Sequence, residues 1–537
     1  MAASSLPRLD AAAGVVAAAV ALGAGELVSG FDSAGTSLVS AVGDEFIDRF
    51  AASLKDVAVE LFGTNDKAAL VVGIVIVSLA LGAALGVASR RRSWIGPAGF
   101  IAFGVVGFAA YRAAPLSSTA VGAVAAAVAA TAGVTTLWFL LRLAAAAVAG
   151  PPPGDTIAHP VDDGVADGAS IVAAPRSTAM TATNRRVFLV AAASLTAGAA
   201  GTAALGRRLR GTDPSADFRA TNALPAPDLT PPVTIGEPFA EPGLTPYITP
   251  NADFYRIDTA LVVPRIDPAD WQVDITGLVD RPFSLTLDDL LSMESVEVPV
   301  TLQCVSNEVG GDLVGNAVWQ GVPLEAVLER AGVQAEGTQV IGRSVDGWTA
   351  GFPTELASDG RPALIAYGMN GELLPPRNGF PARLVVSGLY GYVSATKWLE
   401  SIELTPWEDV DGYWIPRGWS KEGPIKTASR IDVPRRSSSL PPGPTAVAGV
   451  AWAPSRGISA VEVQVDDGPW QPCELGEATN EHTWVQWRLV WDAPAGEHVL
   501  RVRATDGAGE IQTAEMAPPA PDGATGLHAR RVVVGPT

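Results

Sequence analysis

The stretch that decides the fold is IAYGMNGELLPPRNGFPARLVVSGLYGYVSATKWLESIEL, residues Ile365–Leu404. Within it, ARLVVSG and KWLESIEL are typical of β-strands, and upstream WQVDITG alternates apolar and polar residues as a half-buried strand does. Two short helices are predicted in TLDDLLSM, with Thr286 as N-cap, and in PLEAVLERAGV, which Pro323 opens and Gly332 closes. No βαβ repeat occurs, so residues 251–435 are predicted to be an α+β domain.

The pattern changes after residue 440. Short alternating segments are separated by Asp-Gly, Ala-Gly and Pro turns; they are TAVAGVAW, ISAVEVQVDDGPW, WVQWRLVW, HVLRVRATDGAG and ARRVVV. This spacing predicts an all-β sandwich over residues 440–537. Cys473 lies in this region, and we expect it to be structural.

The first 210 residues are rich in Ala, Val, Leu and Gly. A bilayer span needs about 20 apolar residues, and five segments qualify: roughly 10–30, 68–89, 94–114, 118–147 and 187–206. The first is the weakest because it contains Glu26. Residues 1–210 are therefore predicted to be a membrane region with about five transmembrane helices.

Basic residues orient these spans. SRRRSW (Ser89–Trp94), Arg142 and TNRR (Thr183–Arg186) fall on one side if the N-terminus is cytoplasmic, which makes everything after residue 210 extracytoplasmic. TNRRVFLVAAASLTAGAAG also resembles a twin-arginine export signal, although Arg185 and Arg186 could simply be positive-inside anchors. Residues 150–183 are predicted to be a flexible cytoplasmic linker, and residues 211–250 an extended tether that ends by packing on the globular part.

Composition excludes several classes of site. The net charge of −19 argues against nucleic acid. Two cysteines cannot hold a four-cysteine iron–sulfur cluster. Residues 251–435 contain no histidine, because the four in the chain are His159, His482, His498 and His528. A His/Cys zinc cluster and a histidine-based nucleophilic pair are therefore excluded from that domain.

Cys304 stands in TLQCVSNEVGG, residues Thr301–Gly311. A solitary cysteine is usually a small buried hydrophobe. The alternative is a thiolate that binds a transition metal, and Cys304 is the only thiol available in residues 251–435.

TLQCVSNEVGG resembles the molybdenum-ligand segment of the sulfite oxidase family of molybdopterin enzymes. Further similarities follow in the same order along residues 245–537. They are TPNADFYRIDTAL (Thr249–Leu261), the Ile365–Leu404 stretch, DGYWIPRGWSKEGPIKTASRIDVP (Asp411–Pro434) and VAGVAWAPSRGISAVEVQVDDGPWQPCEL. The resemblance implies a sulfite-oxidase-type molybdopterin domain over 251–435 and an immunoglobulin-like dimerisation domain over 440–537.

The resemblance also implies roles for single residues. Cys304 would bind the molybdenum of one molybdopterin per chain, with Glu308 and Tyr390 as further candidate catalytic residues. The candidate cofactor-binding residues are Asn251, Phe254, Tyr255, Asn378, Arg383, Ser394 and Lys397. Phosphate suits Arg and Lys, and the pterin suits amide donors. Taken singly, several have ordinary structural explanations: a turn for Asn378, a surface charge for Arg383, and a core for Phe254 and Tyr255.

Departures from the family pattern bear on the substrate. The sulfite-oxidising and nitrate-reducing branches carry arginines after the motif's Asn, whereas this chain has Glu308 there. A carboxylate would repel a small oxyanion, unless Glu308 is only a solvated loop charge. Asn378 replaces a histidine, as in the branch that reduces methionine sulfoxide. Four basic residues remain as candidate anion binders: Arg343, Arg361, Arg377 and Arg417.

These observations favour a membrane-anchored, extracytoplasmic molybdopterin oxidoreductase acting on a small substrate by oxygen-atom transfer. S-oxide or N-oxide reduction is one form of it. No haem or flavin motif is present, so electrons would pass through a separate cytochrome or quinone-linked partner. The resemblance further implies a homodimer through the C-terminal domain. The alternative is a cofactor-free membrane-anchored binding or adhesion protein that uses the β-sandwich.

Overall fold

The computed structural model describes residues 6–62, 66–148, 177–211, 213–230, 233–435 and 439–535. The chain divides into two compact units, Met1–Thr212 and Asp213–Thr537. The first is helical, and the second combines short helices with four β-sheets. Most of the predicted linker, residues 150–176, lies outside the described residues.

The described part of the first unit contains helices α1 (Leu6–Ser29), α2 (Leu38–Phe62), α3 (Asp66–Arg91), α4 (Ile95–Ala113), α5 (Thr119–Val148) and α6 (Ser177–Leu209). Among the described residues, five helices are long and apolar enough to cross a membrane, and they begin at Pro7, Lys67, Ile95, Thr119 and Arg185. They coincide with the five segments chosen from the sequence. Helix α2 occupies the acidic stretch between the first two, for which no helix was predicted.

Helix α1 is central to this bundle and contacts α3, α5 and α6. Small residues permit close backbone approach: Gly14 lies against Gly82 of α3, and Gly30 lies against Gly206 of α6. The carboxylate of Glu26 is 3.8 Å from the guanidinium of Arg210, and Asp10, the other acidic residue of the first span, is ion-paired with Arg90. These pairings explain how α1 tolerates carboxylates in an apolar helix.

The second unit begins with helix α7 (Pro214–Thr221), inside the segment expected to be extended. Asp213 caps it by accepting from the backbone N–H of Ser215, and Pro214 occupies the first helical position, where no N–H is needed. The strands that follow are β1 (Gln272–Gly277), β2 (Phe283–Thr286), β3 (Val296–Gln303), β4 (Val314–Pro323), β5 (Gln339–Ser344), β6 (Thr349–Pro353), β7 (Ala363–Met369), β8 (Glu372–Leu373), β9 (Arg383–Val386) and β10 (Leu399–Thr405).

These ten strands form two β-sheets. One sheet has the order β2-β1-β10-β5-β6, with β1 and β10 parallel; the other has the order β3-β4-β7-β8, with β9 paired to β7. The intervening helices are α8 (Leu287–Ser292), α9 (Leu324–Ala331) and α10 (Gly391–Ser394). Thr286 caps α8 through a capping box, and Gly332 ends α9 in the left-handed conformation.

The C-terminal part consists of two further sheets. Their strands are β11 (Ala428–Val433), β12 (Ser439–Leu440), β13 (Gly443–Trp452), β14 (Ile458–Val465), β15 (Trp470–Pro472), β16 (Glu474–Leu475), β17 (Val485–Ala493), β18 (Gly496–Asp506) and β19 (Ala529–Val534). Their orders are β11-β13-β17-β16 and β12-β19-β18-β14-β15. β11 was assigned from the sequence to the central domain, but its backbone pairs with β13, so the C-terminal sheets begin earlier.

The largest hydrophobic core runs through the central α+β part and extends into the C-terminal sheets. Trp452 of β13 and Trp484, which precedes β17, belong to it together with Leu302 of β3 and Trp319 of β4. A second core fills the space between the two C-terminal sheets. The shared core makes the two parts of this unit a single packed body at the end of β3, where Cys304 lies.

Candidate active site

Cys304 follows the last residue of β3 and is buried, with 8% of its surface exposed. Its backbone N–H donates to the carbonyl of Leu313 at 2.9 Å, and its carbonyl accepts from the N–H of Asn307 at 3.0 Å. Asn307 closes the loop, because its Oδ1 accepts from the N–H of Leu313 at 2.9 Å. Gly310 makes the turn with a φ of +78°. The loop therefore holds Cys304 at a defined place.

Tyr255 lies within range of the charges of both Cys304 and Arg383. The pKa of Tyr255 is raised by burial and then by the charge of Cys304, while the charge of Arg383 acts in the opposite direction. Tyr255 stacks on Phe254 with ring centroids 5.1 Å apart, and Phe254 makes an edge contact with Trp319. The sequence-predicted residues Phe254 and Tyr255 thus form one aromatic wall beside Cys304.

Arg383 is a buried cation with 6% of its surface exposed. Its guanidinium donates to the carbonyl of Asn378 at 3.1 Å and lies 5.0 Å from the ring centroid of Trp319. Among the described residues it forms no ion pair with a carboxylate, and burial lowers its pKa to about 10. A buried cation without a counter-ion is costly, so the position of Arg383 suits an anionic ligand.

Asn378 lies next to Arg383 and is also buried. Its side-chain Oδ1 is fully enclosed and has no hydrogen-bond partner in the described structure. Such an acceptor costs stability unless a ligand donates to it. Gly379 follows with a φ of +114°, which turns the chain back toward β9.

Lys397 is less available than Arg383. Its Nζ donates to Oδ2 of Asp258 at 2.7 Å, and the same carboxylate oxygen accepts from Nε of Arg256 at 2.7 Å. Burial lowers the pKa of Lys397 to about 8, and Asp258 opposes that shift. Lys397 therefore contributes charge to the site as a member of a partly neutralised cluster.

The other predicted residues have protein partners. Asn251 donates to Glu372 at 2.6 Å and accepts from Asn370 at 2.7 Å. The hydroxyl of Ser394 donates to the carbonyl of Tyr390 at 3.1 Å within α10. Tyr390 is 1% exposed, and burial raises its pKa to about 12. The charge of Cys304 also acts on Tyr390, so this phenol lies near the thiol.

A cleft of about 330 Å³ opens beside the Cys304 loop. Its walls come from three places: residues 303 and 307–310 of the loop, residues 424–429 before and within β11, and residues of the C-terminal sheets. Glu308 lines it and is exposed. Lys426, Arg456, Glu510 and Trp452 also line it, and sequence reasoning missed all four. They are distant in sequence from Cys304, and only the packing of the C-terminal sheets brings them there.

The candidate anion binders are not in this cleft. Arg343 is ion-paired with Glu403, and Arg361 with Asp359 at 2.7 Å. Arg377 donates to the carbonyls of Ala252 and Phe254, and Arg417 to that of Tyr413. None of the four lines the cleft. The two basic residues that do are themselves paired, Lys426 with Asp522 at 3.0 Å and Arg456 with the buried Asp506 at 2.9 Å.

Comparison with known proteins finds a molybdopterin-binding domain in this chain. Residues 260–414 match the family model for the oxidoreductase molybdopterin binding domain. Mitochondrial sulfite oxidase from Homo sapiens is 30% identical over 321 residues, which cover 51% of this chain and 58% of that protein. NADH nitrate reductase from Solanum lycopersicum is 36% identical over 178 residues, or 28% of this chain and 19% of that protein.

Among solved structures, the sulfane dehydrogenase SoxCD from Paracoccus pantotrophus aligns with a TM-score of 0.47 and 24% identity. The alignment covers 54% of this chain and 82% of that one.

Residues 260–414 therefore match a molybdopterin-binding oxidoreductase domain, and the cofactor that this match implies is molybdopterin. The chain is similar to the sulfite oxidases, and it spans somewhat more than half the length of those it matches. The enclosed Oδ1 of Asn378 and the buried, unpaired Arg383 fit this cofactor, because a pterin can donate to the first and its phosphate can pair with the second.

Proposed function

We propose that this protein is a membrane-anchored, extracytoplasmic enzyme that performs oxygen-atom transfer on a small neutral or cationic S-oxide or N-oxide. The observation that carries this proposal is the charge pattern beside Cys304. A buried guanidinium without a carboxylate partner, Arg383, lies on the cofactor side. The adjoining cleft, by contrast, is lined by the carboxylates of Glu308 and Glu510.

The residues would hold the cofactor in distinct ways. The thiolate of Cys304 would bind the metal, Arg383 would pair with the phosphate, and Oδ1 of Asn378 would accept from the pterin. Tyr255 and Phe254 close one side of the site and exclude water. Molybdopterin, when bound, supplies the oxygen-atom chemistry that no side chain here can perform.

The charges of the cleft select the substrate. Four ionisable residues line it, and Lys426 and Arg456 are neutralised by Asp522 and Asp506. Glu308 and Glu510 form no ion pair among the described residues, so the cleft is net acidic. A free oxyanion would be repelled, whereas a neutral or cationic oxide would not.

The proposed reaction is a two-electron reduction. An S-oxide takes up two electrons and two protons, its S–O bond breaks, and the products are a thioether and water; an N-oxide yields an amine in the same way. The electrons come from a separate cytochrome or quinone-linked partner. The family resemblance supports a homodimer through the C-terminal sheets.

The membrane location rests on the five apolar helices. Helices α1 and α6 run parallel, since Gly23 lies near Ala199 and Gly30 near Gly206, which suits a first and a fifth crossing. With Arg90, Arg91 and Arg185 on the cytoplasmic side, the globular unit would be extracytoplasmic.

The test is molybdenum content and the molybdenum(V) paramagnetic resonance signal of the full-length protein, made in a host that synthesises molybdopterin. Cys304→Ser should alter the signal or remove the metal, while Cys473→Ser should do neither. Reduction of dimethyl sulfoxide and trimethylamine N-oxide by a reduced dye should exceed sulfite oxidation. Metal-free protein would favour the binding-protein alternative, and efficient sulfite oxidation would refute the substrate class.

A further inference from the structure

Two buried amides lie close to Cys304 in the chain, one directly before it and one three residues after it, and both line the cleft. Gln303 is 5% exposed and Asn307 is 3% exposed. The oxygen of each is occupied by a protein donor: Oε1 of Gln303 accepts from the indole N–H of Trp452 at 2.7 Å, and Oδ1 of Asn307 accepts from the backbone N–H of Leu313 at 2.9 Å. Because both partners can only donate, the orientation of both amides is determined.

The nitrogens of these two amides are free to donate hydrogen bonds to a ligand. Neither Nε2 of Gln303 nor Nδ2 of Asn307 has a hydrogen-bond partner among the described residues, and neither is one of the fully enclosed unpartnered atoms. An unpaired amide donor in a buried place costs free energy unless solvent or a ligand accepts from it. Both donors therefore reach the open space of the cleft.

A third amide in the same cleft shows that this is not a general property of its lining. Gln512 uses both ends: its Oε1 accepts from Ser429 at 2.6 Å, and its Nε2 donates to the carbonyl of Gly526 at 2.9 Å. Unpartnered amide donors in this cleft thus occur at the two positions that lie close to Cys304 in the chain.

We propose that Gln303 and Asn307 form an amide donor pair that binds the oxygen of the substrate and makes the cleft selective for oxides over their reduced products. This inference rests on the proposed function and names residues that determine its specificity. An S-oxide or N-oxide oxygen is a strong acceptor, and the amide pair offers it N–H groups without adding charge. The thioether or amine that remains after reduction has lost that oxygen. It therefore cannot accept hydrogen bonds from the amide pair, and it dissociates more readily.

The test uses isosteric substitutions in the full-length, molybdenum-loaded protein. Gln303→Glu and Asn307→Asp each keep the oxygen that Trp452 or Leu313 requires, and each replaces the N–H donors by a charged carboxylate oxygen. Gln512→Glu places the same new charge in the same cleft, at an amide that is not available to a substrate. We expect KM for dimethyl sulfoxide to rise about tenfold or more in the first two variants, as loss of one hydrogen bond implies. kcat should change much less, and Gln512→Glu should stay within about threefold of wild type.

Binding without turnover provides a second readout. Dimethyl sulfone presents the same kind of S–O acceptor, and its binding can be followed by saturation-transfer NMR on the loaded protein. Its dissociation constant should rise about tenfold in Gln303→Glu and in Gln303→Met, which keeps the volume and adds no charge. Unchanged KM and unchanged sulfone affinity in these variants would overturn the amide pair. A wild-type protein that binds the sulfone but reduces no oxide would refute the proposed reaction while leaving the donor pair in place.

Discussion

The indole Nε1–H of Trp452 donates to Oε1 of Gln303 at 2.7 Å, and this bond joins the C-terminal sheets to the strand that ends at Cys304. Trp452 is 1% exposed and packs in the main hydrophobic core. The C-terminal sheets therefore orient the side chain of Gln303, the residue directly before the candidate metal ligand Cys304.

Trp452→Phe tests the energetic value of this bond. The substitution leaves the Gln303 oxygen buried without its donor, so we expect a loss of about 1–2 kcal/mol of unfolding free energy beyond the effect of the smaller ring. Trp487→Phe is the matched control, because Trp487 is fully buried and its Nε1 has no partner in the described structure. Urea unfolding of the two variants should show the greater loss at position 452, and equal losses would contradict a stabilising Trp452–Gln303 bond.

Arg383→Met should have opposite effects on the empty protein and on cofactor loading. Removing a buried, unpaired cation should stabilise the cofactor-free protein by about 1–3 kcal/mol. The same change should sharply reduce pterin and molybdenum content, since the phosphate loses its counter-ion. The measurements are thermal unfolding of protein made without cofactor and metal analysis of protein made with it.

Arg430→Met is the control for that experiment. Arg430 is also buried, but it is ion-paired with Asp432 at 2.7 Å. Its removal leaves the Asp432 carboxylate without its ion-pair partner, so the unfolding free energy of the cofactor-free protein should fall by about 3 kcal/mol. If Arg383→Met destabilised the cofactor-free protein as Arg430→Met does, Arg383 would be a structural residue.

Reversing the charge of Glu308 should shift substrate preference toward anions. In Glu308→Lys we expect KM for sulfite to fall roughly 3- to 10-fold and its ionic-strength dependence to change sign, because a cleft charge acts on encounter with an ion. Reduction of the neutral dimethyl sulfoxide should change little. Glu325→Lys, which alters the net charge equally on an exposed face of α9, should leave both substrates unaffected.

The globular unit should lose stability on mild acidification through His528. Its Nδ1 accepts from the N–H of Ile431 at 2.9 Å, and burial lowers its pKa from 6.5 to about 4. Between those values the unfolded chain binds a proton that the folded chain does not, so unfolding free energy falls as pH falls through this window. The loss should approach about 2–3 kcal/mol at the acid end.

The measurement is the unfolding midpoint across this pH range for wild type and for His528→Asn, whose Oδ1 can still accept from Ile431. The variant should lose most of the pH dependence. Burial also lowers the pKa of His482, which contributes with the same sign and sets a residual slope. A wild-type curve that is flat between pH 6.5 and 4 would rule out an uncharged buried His528.

Local chemistry was enough to predict much of the architecture. Thr286 caps α8, and Pro323 and Gly332 bound α9, because capping and left-handed turns depend on neighbouring residues only. The five apolar helices follow from length and composition. The helix α7 was missed, although Asp213 followed by Pro214 is a local start signal, because the many prolines after it favoured an extended chain.

The site was predictable in part. The sequence by itself indicated the resemblance to sulfite oxidases, the implied cofactor and the candidate ligand Cys304, since a collinear set of motifs carries that information. The state of each side chain depended on its partners. Lys397 is neutralised by Asp258, Arg343 by Glu403 and Arg361 by Asp359, whereas Arg383 has no carboxylate to pair with among the described residues.

Only the tertiary structure decided which groups line the cleft. Gln303 and Asn307 are ordinary polar residues in the sequence, and their donors became available because Trp452 and Leu313 occupy their oxygens. The physical reason is that hydrogen bonds and charges are satisfied by groups that are close in space, and packing of the C-terminal sheets brings Trp452 to Gln303 across about 150 residues of sequence.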